Sequence, residues 1–171
     1  KTYKFNQIVN VYAYDADADY EEIELNEDGT DNPGTDNPGT SNGTITFEAE
    51  VDKGNAGTDS NNAAENTITK EGVTMKVSSG ILGTYNNEAH YRIYKNQTLT
   101  LTSTVGNIVS VEFTCTANGD TKQGPGGFTV TDGEYGHEGG KVGTWTGEAT
   151  EVVFTASINQ VRASQIAVVV E

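Results

Sequence analysis

Residues 98–102 read Thr98-Leu99-Thr100-Leu101-Thr102, and residues 166–170 repeat the pattern with Ile166, Val168 and Val170 at alternate positions. A period of two marks a β-strand with one buried face, because successive side chains leave opposite sides of the pleat. Outward from these stretches, short runs of the same kind occupy 44–51, 72–78, 89–94, 97–103, 107–116, 126–131, 141–146, 149–156 and 165–170, with Gly, Asn and Asp between most of them. A half-apolar sheet needs a second layer over its apolar face, so the expected fold is all-β, an antiparallel, jelly-roll-like β-sandwich over 44–171. A closed barrel satisfies the same periodicity. Only 53–65, with Ala56, Ala63 and Ala64, reads as a short helical turn or a long loop.

The composition agrees. The chain has 171 residues, enough for one sizeable core, and its 20 glycines with recurrent Thr, Asn and Val suit strands joined by turns. The formal charge of −15, from 25 acidic and 10 basic side chains, would repel phosphate backbones and anionic membranes, so no nucleic-acid partner is expected. No run of about 18 apolar residues is present, and no direct membrane insertion is expected. Cys115 is the sole cysteine, which rules out an internal disulfide; it shares strand parity with Val109, Val111 and Phe113 and is expected to be a buried structural thiol.

Residues 30–34 read Thr30-Asp31-Asn32-Pro33-Gly34, and the same pentapeptide is repeated at 35–39. Proline blocks ladder hydrogen bonds and Asn-Pro-Gly favours successive turns, so 29–43 is read as a solvated linker. Before it, 1–28 is an acidic segment too small to fold alone, read as the tail of a preceding domain or as a strand added to the following one. Asp15, Asp17 and Asp19 have the spacing of the first three ligands of a calcium loop. Tyr20 and Asn26 stand where such a loop needs glycine and glutamate, so no metal site is expected.

The stretch Gly143-Thr144-Trp145-Thr146-Gly147-Glu148-Ala149, followed by Val152, Val153 and Phe154 and then by Val161-Arg162 and Ile166 to Val170, resembles β-sandwich modules of surface lipoproteins and adhesin-like proteins from gut Bacteroidetes. His90-Tyr91-Arg92-Ile93-Tyr94 with Asn96 to Leu101 is similar to the Tyr-Arg-apolar-Tyr strand that often precedes a Thr-Leu-Thr strand in such modules. The resemblance covers 44–171 and implies a sandwich in a cell-surface setting. The Thr, Asn and Gly richness, the acidic surface and the tether point to the same extracellular or cell-surface location.

Catalysis finds little support. No Gly-x-Ser-x-Gly elbow occurs, His90 and His137 are the sole imidazoles, and Glu134 with Glu138 is merely one carboxylate pair among many. His137 lies in a glycine-rich run, 132–140, read as a solvated loop. One cysteine and two distant histidines form no zinc cluster, and Gly124-Pro125-Gly126-Gly127 reads as a turn. No enzyme activity and no cofactor are expected.

Carbohydrate recognition needs an aromatic platform for the apolar face of a sugar and planar polar groups for its hydroxyls. Tyr85, Asn86, Asn87, His90, Arg92 and Tyr94 concentrate those types and are the candidate ligand-binding residues. Alternation sends His90, Arg92 and Tyr94 one way and Tyr91 and Ile93 the other. Tyr85 is expected in a loop, exposed, and Trp145 in the core. The expected function is a non-catalytic extracellular or cell-surface binding module for carbohydrate, with a glycan or a surface protein as partner. The alternative is a structural or adhesion domain of a larger surface protein, without a small-molecule ligand.

Overall fold

The computed structural model describes residues 43–54 and 63–171, so the acidic segment 1–28, its aspartate triplet, and the linker up to residue 42 lie outside the described residues. Among those described, the strands are β1 (Gly43–Glu48), β2 (Ala63–Lys70), β3 (Val73–Tyr85), β4 (Glu88–Ile93), β5 (Thr98–Ser103), β6 (Ile108–Cys115), β7 (Thr129–Val130), β8 (Glu134–His137), β9 (Val142–Ala149), β10 (Glu151–Thr155) and β11 (Val161–Val170). The helical content among them is the single 3₁₀ turn Pro125–Gly127. No helix among the described residues is long and apolar enough to cross a membrane.

The expected strands are present, with four corrections, the first being that the 126–131 run is a strand only at Thr129–Val130, since Gly126 and Gly127 belong to the 3₁₀ turn. Gly43, placed in the linker by sequence, opens β1. Ala63 and Ala64 begin β2 instead of a helical turn or loop, while Ala56 lies outside the described residues. The 132–140 loop contains β8. Two tight turns explain the first half of the ladder. Lys70 pairs with Val73 around Glu71 (φ 48°) and Gly72 (φ 79°), and Tyr85 pairs with Glu88 around Asn86 (φ 51°) and Asn87 (φ 61°). Two successive positive φ angles define the mirror-image turn whose twist matches antiparallel strands, and Asn and Gly tolerate it best.

The strands join in the order β7-β10-β5-β3-β4-β11-β6-β9-β8, with β1 beside β11 and β2 beside β3, every pairing antiparallel. β5 (at 73–77) and β4 (at 80–85) follow one another along the edge of β3 opposite β2, so β3 passes from one part of the sheet to the next. The rings of Phe154 on β10 and Phe113 on β6, strands that are not hydrogen-bonded to each other, are 4.8 Å apart, edge to face. The sheet therefore curls on itself into a nearly closed, barrel-like shape. Its two ends meet the same cluster: Tyr135 of β8 lies 5.9 Å from Phe154, and Phe128, next to β7, lies 6.0 Å from Tyr135.

The inward positions form one core. Val73, Met75, Val77, Leu99, Leu101, Tyr91, Ile93, Phe113, Trp145, Phe154, Ile166 and Val168 are fully buried. Each such apolar side chain contributes about 1.5–3 kcal/mol over leaving it in water. Cys115 is buried too, and burial pushes its thiol up to about 12, so it is an un-ionised structural thiol at neutral pH. Between β1 and β2, Lys70 Nζ donates to the Thr46 carbonyl (2.7 Å) and to Asp52 Oδ2 (3.0 Å). Asp52 also accepts from the Glu48 N–H, and its own carbonyl takes the Tyr91 hydroxyl at 2.8 Å. These bonds fasten the 49–54 segment to β1, β2 and β4.

Candidate functional site

The β3–β4 hairpin carries the candidate residues except Tyr94, which follows β4, and its alternation divides them as expected. Tyr91 and Ile93 point into the core, while His90 and Arg92 lie on the outer face. β4 is fixed on its other side by β11, with Arg92 directly opposite Arg162. The chain has two arginines, and this register brings both to one place. Opposite Arg92 on β3 is Ile81, which is fully buried.

Glu88, the first residue after the turn, holds the cluster together. Its Oε2 lies 3.1 Å from Arg92 Nη2, 3.8 Å from Arg162 Nη1 and 3.9 Å from His90 Nδ1. Arg92 Nη2 also donates to the Tyr85 carbonyl at 3.3 Å, and its guanidinium sits 5.0 Å above the Tyr85 ring. Such a cation–π contact contributes about 0.5–1 kcal/mol where partly solvated. Tyr85 is thus no free loop residue: it ends β3, is half-buried, and has one ring face on Arg92. Arg92 is buried, Tyr94 half-buried, and Asn86 and Asn87 are exposed at the turn. The two asparagines have a structural duty there, through their positive φ angles, besides any contact with a ligand.

His90 also lines a cleft of about 430 Å³ with Glu48, Ala49, Glu50, Ala89, Thr114, Ser164 and Gln165. Sequence reasoning missed Glu88, which the local turn brings back over Arg92, and it missed Arg162 and this wall, which depend on the long-range pairing of β4 and β1 with β11. Burial first, then the charge of Arg92, lowers the His90 imidazole below its ordinary value; Glu88 opposes this and Arg162 adds to it. The unfolded chain therefore takes up a proton near pH 6.5 that the folded chain still refuses, so stability is lost as pH falls through that window towards the lower folded value. Melting temperature should accordingly fall more steeply between about pH 7 and about pH 5 in the native chain than in His90→Asn. Equal slopes in the two proteins would contradict the placement of His90.

A second cleft, of about 710 Å³, is lined by Gly136, His137, Glu138, Gly140, Lys141, Val142 and Thr144. His137 Nδ1 accepts the Gly139 N–H at 3.1 Å, which leaves Nε2 to donate to Asp120 Oδ1 at 3.1 Å. No serine, threonine or cysteine bonds to this imidazole among the described contacts; Glu134 and Glu138 are both exposed. Among the described residues, no three His, Cys, Asp or Glu side chains are grouped to hold a metal ion. No protein-family model, curated protein or solved structure matches the chain.

Proposed function

We propose that the chain is a non-catalytic binding module of an extracellular or cell-surface protein, that its ligand is a carbohydrate, and that it is a jelly-roll-like sandwich akin to modules of gut Bacteroidetes surface lipoproteins and adhesin-like proteins. The sandwich reading is supported by β3, which lies beside β5 over residues 73–77 and beside β4 over 80–85, so that one strand passes between two halves of the sheet. The observation that carries the functional reading is the gathering of Tyr85, His90 and Arg92 on one outer face, bordering a cleft whose hydroxyl, amide and carboxylate groups suit sugar hydroxyls. A ring pinned by a guanidinium loses little freedom on binding, which favours it as a platform.

The structural or adhesion reading is supported by a different surface. Thr74, Lys76, Ser78, Thr98, Thr100, Thr102 and Glu151 form an aromatic-free polar face across β3, β5 and β10, suited to contact with another protein. A glycan array spanning plant, host and microbial structures separates the two. Retention of at least one glycan class, without release of cleavage products, is the expected result; a blank array would move the assignment to the structural role, and product release would overturn the non-catalytic reading.

A further inference from the structure

We infer that the outer face of β4 and β11 receives an anionic group carried by a sugar, a carboxylate or a sulfate ester, between Arg92, Arg162 and His90. This rests on the carbohydrate-binding reading and specifies the class of sugar.

The cluster sets two guanidinium cations against one carboxylate, in a chain whose formal charge is −15. Glu88 serves them with a single oxygen, Oε2, and the neighbouring donors stay idle. Among the described residues, the Arg92 Nε and Arg162 Nε donors, and the ring nitrogen His90 Nδ1, which donates in one of its tautomers, are shielded from water and have no hydrogen-bond partner. Arg92 itself is 4% exposed. A shielded donor without an acceptor costs about 1–3 kcal/mol, and native proteins keep few of them. Thr116 Oγ1 is also shielded and unpartnered, and Thr116 donates its N–H to the Arg162 carbonyl, which places it next along the same row of the sheet. One oxyanion with several acceptor oxygens would satisfy these groups together, and arginine edges are suited to two-point recognition of a planar carboxylate or of a sulfate.

Glu88 acts as an internal stand-in for that anion. It is 57% exposed at the end of a two-residue turn, so its side chain can swing into solvent and vacate the guanidinium edges. The adjoining cleft explains why the anion belongs to a sugar. His90 is shared by the cluster and the cleft, where Thr114, Ser164, Gln165, Glu48 and Glu50 present acceptors and hydroxyls to a polyol ring. Glu48 and Glu50 repel negative charge, so the ligand must carry its anion on the side that faces the arginines.

The test is a ¹⁵N–¹H titration of the full chain with sodium glucuronate, glucose 6-sulfate and glucose, following the arginine Nε–H signals, of which the chain has two. Glucuronate or glucose 6-sulfate should shift both signals saturably, the one that does so identifying carboxylate or sulfate; glucose should leave them in place. Glu88→Gln, which removes the internal competitor, should tighten binding by about tenfold, the equivalent of about 1.4 kcal/mol, and Arg162→Gln should abolish it. The absence of saturable shifts in both the native chain and Glu88→Gln overturns the inference, as does binding indifferent to Glu88→Gln and Arg162→Gln. Array binding confined to neutral glycans, with silent arginine signals, sinks the anion site and spares the carbohydrate reading. A blank array with saturable arginine shifts spares the anion site and sinks that reading.

Discussion

Replacing Trp145 by alanine is expected to lower the unfolding free energy by about 4 kcal/mol, a large share of the roughly 5–15 kcal/mol that holds a domain of this size. Trp145 is fully buried on β9. Its Nε1–H donates to the Asp132 carbonyl at 2.8 Å, and its ring meets Phe154 edge to face at 6.4 Å. Gly133 and Gly147 lie against the indole so closely that a Cβ at either position would collide with it. Glycine at those places is therefore space made for the tryptophan, and alanine at 145 leaves a cavity with rigid strand walls. Because Trp145 is the only tryptophan, urea unfolding should be followed by circular dichroism. The midpoint should drop with little change in slope; a loss below about 1 kcal/mol would place the side chain outside the core.

Phe154→Ala should cost a similar amount, about 3–5 kcal/mol, for a reason that concerns topology. The ring touches Phe113, Phe128 and Tyr135, with centroids 4.8, 5.6 and 5.9 Å away, as well as Trp145. Phe128 precedes β7, which pairs with β10, but Phe113, Tyr135 and Trp145 come from β6, β8 and β9, which share no hydrogen bonds with β10, so those contacts exist because the sheet curls. A double-mutant cycle between Phe154→Ala and Phe113→Ala isolates that curl. A coupling of about 0.5–1.5 kcal/mol is expected for a packed aromatic pair, and additivity within error would contradict the closure.

Strand alternation was legible wherever one face is buried and the ladder is regular, as in β5. It failed at bulges. Val109 shares the sequence parity of Val111, Phe113 and Cys115, yet it is half-exposed and Ile108 is buried, because a register shift between Ile108 and Ser110 reverses the faces. β11 changes parity in the same way between Ala163 and Gln165, so Val161 and Ala163 face inward with Ile166, Val168 and Val170. β2 had a usable signal in Thr67-Ile68-Thr69 followed by Glu71-Gly72, a hairpin turn dipeptide between two alternating runs. The alanines at 63 and 64 argued against it. β8 was hidden by glycines, and its strand character comes from pairing Tyr135 with Trp145.

The site was legible only in its local part. Alternation separated His90, Arg92 and Tyr94 from Tyr91 and Ile93, and composition singled out the 85–94 segment. Arg162 and the 430 Å³ cleft come from strand neighbours distant in sequence, which no local pattern encodes. The role of Glu88 follows from the turn, since Asn86 and Asn87 close the hairpin so that its carboxylate returns over Arg92.

The most direct test of the binding account is a set of isotherms for a glycan retained on the array, measured with the native chain, with Tyr85→Ala and with Thr100→Ala. Tyr85→Ala gives up the contact with Arg92 and should cost about 1 kcal/mol of stability, with the fold intact by circular dichroism. Thr100 stands on β5, in the polar face away from the hairpin cluster. Binding through the hairpin predicts that Tyr85→Ala weakens affinity by tenfold or more, roughly 1.4 kcal/mol, while Thr100→Ala leaves it unchanged. Unchanged affinity in Tyr85→Ala together with loss in Thr100→Ala would contradict it and move the site to the polar face across β3, β5 and β10.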